Sequence, residues 1–109
     1  MKTNKENFKE FKWMGFKSHM MATLAQWRDE NYGTDATFQC TDGQVSAHRL
    51  ILAAASPLLK EVMSQDDQVV IFLPEVSSKV MKSILDLVYK GVNCVKIKLF
   101  LLLVVKNIF

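Results

Sequence analysis

The 109-residue sequence predicts one α+β domain, and three observations carry that prediction. Short apolar runs of strand character at 36–40 and 69–73 are interspersed with segments whose apolar residues recur at helical spacing, a mixed order typical of α+β folds rather than of wound parallel sheets. Half of the residues are hydrophobic and 23% are charged, a composition that folds rather than stays disordered. The length suits one modest core.

The elements follow in order. In "FKEFKWMGFKS" the alternation through Phe11 and Trp13 predicts a short strand stopping at Gly15. Ser18 offers an N-cap to a helix carrying Met20, Met21, Leu24 and Trp27, which ends at "RDENYG". "DATFQC" places Ala36, Phe38 and Cys40 on one face, and the Asp42-Gly43 pair after it predicts a tight hairpin. In "SAHRLILAAASP" the residues Leu50, Ile51, Leu52 and three alanines predict a helix apolar nearly all round, hence buried. Ser56-Pro57 breaks it and caps the next helix, "PLLKEVM". "VVIFL" is a β-branched strand closed by Pro74. From Ser78 the spacing of Val80, Met81, Ile84, Leu85 and Val88 predicts a helix stopped at Gly91.

Several function classes lack their chemistry. The glycines stand singly at 15, 33, 43 and 91, so no phosphate loop or dinucleotide fingerprint can form, and no cofactor is expected. His19, His48, Cys40 and Cys94 show no metal-ligand spacing. Asp35, Ser46, Ser56 and His48 supply the letters of a hydrolytic triad but no Gly-x-Ser-x-Gly elbow, so an enzyme is not expected. Asp66 and Asp67 read as a solvated turn. The net charge of +3 is scattered, which argues against direct nucleic-acid contact. Two cysteines fit a reducing compartment, and the charged start lacks the apolar core of a signal peptide. Leu99 to Val105 is too short to cross a membrane as a helix.

What remains is surplus apolar surface. Phe8, Phe11, Trp13, Phe16, Met20, Met21 and Trp27 crowd into twenty residues, more than one small core can cover, and aromatic and methionine enrichment is typical of association surfaces.

From Gly33 to Gly91 the residues resemble the BTB/POZ domain: Asp35 before the hairpin, Ala47-His48-Arg49 entering a helix, Ser56 before the next, and Tyr89-Lys90-Gly91 closing a later one. Upstream, "FKWMGFKSHMMATLAQW" resembles the lead-in of the tramtrack-like group of insect transcription factors, with Met14 and Gly15 where asparagines are usual. The resemblance implies a cluster of short helices capped by a small, mainly three-stranded sheet, with an exchangeable N-terminal strand, over residues 8–95. It implies a module that pairs with itself or related BTB proteins through Phe11, Trp13, Phe16, Met20, Met21, Leu24 and Trp27. It further implies a charged pocket of Asp35, His48 and Arg49, in which Arg49 pairs with Asp35. Nuclear transcription control with corepressor recruitment is the implied role, and a substrate adaptor for a cullin-type ubiquitin ligase is the alternative.

Residues 96–109 depart from that pattern. Where the family continues with helices, "VNCVKIKLFLLLVVKNIF" carries no acid and no helical period, although 92–95 suits a short strand. A truncated isoform, or a reading frame running into an intron, is expected. Without covering helices, the faces of "PLLKEVM" and "VMKSILDLV" would be open unless the tail packs over them, and a marginal or obligately associated domain would follow.

Overall fold

The computed structural model describes residues 9–91. Expectations for Phe8, for the strand at 92–95 and for the tail lie outside the described residues. The order is α1 (Phe16–Asp29), β1 (Ala36–Cys40), β2 (Gly43–Ala47), α2 (Arg49–Ala55), α3 (Pro57–Met63), β3 (Val69–Phe72) and α4 (Ser78–Lys90). The strands form one sheet in the order β2-β1-β3. β1 and β2 are an antiparallel hairpin in which Phe38 faces Val45 and Cys40 faces Gly43, while β3 runs parallel to β1 with Ala36 opposite Val69.

The hairpin register leaves Thr41 and Asp42 as its tight turn, with Gly43 opening β2. That tip is fastened to the segment between β3 and α4. The Thr41 amide donates to the Val76 carbonyl at 2.9 Å, and the Asp42 carboxylate accepts from the Ser78 amide at 2.7 Å. This amide bond holds the Asp42 carboxyl below the usual carboxylate range.

The helix boundaries follow local chemistry. The Ser56 hydroxyl accepts from the Leu59 amide with Pro57 in the first turn of α3, and the Ser77 hydroxyl accepts from the Val80 amide at the start of α4. Gly91 ends α4 at φ 74°, a left-handed stop that costs glycine nothing. α1 corrects the expected Ser18 cap: it begins at Phe16, because Gly15 at φ 80° turns the chain into the helix, and its carbonyl accepts from the His19 amide. Residues 9–13 form no strand, since a strand exists only against a partner edge and the described chain offers none there.

The core lies between the sheet and the helices. Phe38, Ala47, Leu52, Met81, Ile84 and Leu85 are wholly buried, with Leu59, Met63, Val69 and Tyr89 around them. α2 departs from the all-round burial expected of it. Leu52 is buried and Ile51 and Ala53 partly so, yet Leu50 is 81% exposed and Ala54 and Ala55 face solvent. A seven-residue helix can press only one side onto a core of this size.

Candidate protein-interaction surface and charged pocket

α1 packs along α4, yet its buried residues are only Ala25 and Arg28. Leu24 packs against the core and Met21 is partly buried. Phe11, Trp13, Phe16, Met20 and Trp27 all face solvent, Phe11 at 90% exposure. The exposed rings gather on one another: Trp13 stands edge-on to Phe16 with centroids 5.1 Å apart, and Trp27 leans on Tyr32 at 5.0 Å. The seven residues expected at an interface thus divide into five exposed side chains and two that anchor the helix. Leu50 and Leu58 add exposed apolar side chains on α2 and α3. No sequence pattern marked them, because in a short apolar helix the side facing away from the core looks the same as the side facing it.

Asp35 and Arg49 do meet. The Asp35 carboxylate accepts from the Arg49 amide at 2.7 Å, supplying the first turn of α2 with a cap that His48, at the N-cap position, does not provide. Its other oxygen lies 3.6 Å from the Arg49 guanidinium. Arg49 also donates from Nε to the Met63 carbonyl at 2.9 Å, satisfying the last turn of α3. One arginine therefore ties α2 to the end of α3. The two side chains are 26% and 31% exposed, so this is a half-buried pair beside a cavity of about 270 Å³ that Lys60, Leu50 and Ala53 also line.

His48 turns away from that cavity. Its Nε2 lies 2.8 Å from the Tyr32 carbonyl, its Nδ1 lies 2.6 Å from the Tyr89 hydroxyl, and its amide donates to the same hydroxyl at 2.9 Å. A carbonyl can only accept, so Nε2 carries a proton, and in the neutral ring Nδ1 accepts from the Tyr89 hydroxyl. The phenol oxygen meanwhile takes the His48 amide, and every polar atom of the pair is used. Burial pushes the Tyr89 phenol up to about 12, against the opposing pull of the His48 amide.

Arg28 is the residue sequence reasoning missed. Its side chain is 4% exposed; it donates to Asp86 at 2.6 Å and lies over the Tyr89 ring, 4.8 Å from the centroid. Its Nη1 is buried without a hydrogen-bond partner. The available signal was spacing, since residue 28 continues the 21, 24, 25 face of α1. Beside it a cleft of about 450 Å³ opens between α1, β2 and α4, lined by charges of both signs: Asp29 and Asp86 against Lys82 and Lys90.

Among the described residues no group of three or more His, Cys, Asp or Glu could hold a metal ion, and no helix is long and apolar enough to cross a membrane. The geometry suits contact with another chain: an exposed apolar helix face whose inner side is anchored by Ala25 and by Arg28 on Asp86.

Comparison with known proteins agrees with this architecture. The family model of the BTB/POZ domain matches residues 24–109. The chain is 32% identical over 82 residues to "Longitudinals lacking protein-like" of Drosophila melanogaster, covering 73% of this chain and 65% of that protein. It is 33% identical over 76 residues to "Transcription factor Ken" of the same species, 65% of this chain but 12% of that protein. These insect relatives support the tramtrack-like group. The BTB domain of zebrafish PATZ1 superposes with a TM-score of 0.75 over 93% of this chain and 86% of its own, at 22% identity, and so shares the fold. With a family match running from α1 through α4 and that superposition of the whole architecture, the chain belongs to the BTB/POZ domain family.

Proposed function

We propose that this domain is a self-association module of a nuclear transcription regulator, pairing through the outer face of α1 and the segment before it. The carrying observation is the exposure of Phe16, Met20 and Trp27 on a helix otherwise tied to the core, together with Phe11 and Trp13 in the segment before it. Large apolar side chains clustered in this way raise the free energy while they stand in water, and a partner of like chemistry that covers them lowers it. The role in transcription rests on the insect relatives, of which the chain spans 65% in one case and about a tenth in the transcription factors. Corepressor recruitment would use the face of the dimer, and related BTB domains would be alternative pairing partners. The domain would bring no nucleic acid contact of its own and act as no enzyme.

Sedimentation equilibrium of the chain beside Phe16→Ser/Met20→Glu tests this reading. The expected result is a dimer or larger assembly for the parent and a monomer with an unchanged far-ultraviolet spectrum for the variant. A parent chain that stays monomeric at tens of micromolar, or a variant that associates equally well, would overturn it. For the cellular role, affinity capture that returns a cullin as dominant partner and no chromatin proteins would favour the ligase adaptor instead.

A further inference from the structure

β3 is a terminal strand of the sheet, and among the described residues no strand pairs with its outer side. The Val69 amide donates to the Asp35 carbonyl and the Leu73 amide to the Gln39 carbonyl, so alternate residues of this strand face β1. By the same alternation the amides and carbonyls of Val70 and Phe72 point outward. Among the described residues no hydrogen bond reaches them. Those two residues also carry the exposed apolar side chains of the strand, at 50% and 73%. Apart from its shortness, four residues, β3 lacks the usual protections of an edge, with no lysine, no proline and no bulge.

The charge around this edge selects its occupant. Asp66 and Asp67 precede β3 and Glu75 follows it, all exposed, and no basic residue occurs between Lys60 and Lys79. A second copy laid antiparallel along β3 would bring Asp66 and Asp67 of one chain toward Glu75 of the other, which is repulsive. We propose that β3 receives an extended segment of another protein, apolar on alternate residues and carrying lysine or arginine at both ends, which adds a fourth strand to the sheet. Backbone pairing to Val70 and Phe72 supplies its affinity, contact with their side chains its preference for apolar residues, and the acidic flanks its charge selectivity. This surface is separate from the α1 face, so a self-associated assembly keeps it.

The test uses the isotopically labelled full chain titrated with a peptide of sequence acetyl-Lys-Lys-Val-Thr-Val-Thr-Val-Lys-amide and with its counterpart bearing Glu for every Lys. The expected result is amide shift changes and slowed exchange centred on Val70 and Phe72, with about tenfold tighter binding of the lysine peptide, the size that a few surface charge pairs provide. Asp66→Lys/Asp67→Lys/Glu75→Lys should invert the preference, and Val70→Lys should abolish binding of either peptide. Equal binding of the two peptides, no binding, or shifts centred elsewhere would overturn the proposal. Concentration-dependent protection of Val70 and Phe72 without any peptide would also overturn it, by assigning the edge to a second copy.

Discussion

α1 and α4 are nearly the same length, 14 and 13 residues, and lie against each other, yet they dispose of their apolar residues differently. α4 turns Met81, Ile84, Leu85 and Tyr89 inward and leaves its lysines in water. α1 buries an alanine and an arginine and leaves Phe16, Met20 and Trp27 outside. Burial of apolar area stabilises whichever state achieves it. The apolar surface of α4 is buried within its own chain, whereas much of that on α1 stays in water and, under the proposed function, is buried only by a second chain.

Substitutions can sharpen or break this contrast. The largest effect on stability is expected from Leu85→Ala, a wholly buried side chain of α4, at about 2–5 kcal/mol in denaturant unfolding. Met20→Ala on α1 should change monomer stability little and weaken association instead, so a loss of stability as large as that of Leu85→Ala would erase the distinction. In an association assay, Trp27→Ala should cost about 2 kcal/mol, roughly thirtyfold in the dissociation constant, if the outer face of α1 is the contact.

Next in size are the polar ties that hold the ends of the two helices. Tyr89→Phe removes the hydroxyl that donates to His48 Nδ1 and accepts from the His48 amide, and about 1–3 kcal/mol should be lost. The phenol adds a pH dependence. Its proton is held up to about 12 in the folded chain against the usual 10.0. The stability it contributes is therefore complete below pH 10 and declines as pH rises from there through 12. Unfolding measured from pH 8 to 12 should show that decline in the parent, and Tyr89→Phe should flatten it.

The smallest effect belongs to the ion pair. In a double-mutant cycle of Asp35→Asn and Arg49→Gln the coupling should be about 0.5–1 kcal/mol, because both side chains reach water. A coupling of several kcal/mol would show that the pair is buried in solution, since burial raises the cost of an unmatched charge.

Much of the architecture was legible in residue chemistry. The Ser56-Pro57 helix start and the glycine stop at 91 stand where local signals put them, the hairpin turn falls at Thr41-Asp42, one residue before the Asp42-Gly43 pair, and the strand expected at 69–73 ends at Phe72. These features depend on turn conformation, capping and periodicity, which a few neighbouring residues decide. The start of α1 was misplaced by three residues, Ser18 against Gly15 as the cap, because serine and a left-handed glycine both begin helices, and sequence does not say which one the chain uses.

The sequence by itself determined the elements from α1 to α4, their order and the surplus of apolar residues near the N-terminus, but predicted a strand through Phe11 and Trp13 that does not form. Only tertiary structure decided which apolar residues stay outside, that Leu50 faces water while Leu52 does not, and that His48 pairs with Tyr89 across 41 positions rather than joining Asp35 and Arg49. It also decided that Arg28 is buried beneath Asp86 and over Tyr89. The reason is physical: periodicity specifies a side chain's direction relative to its own element, whereas burial and pairing depend on which other element lies in that direction.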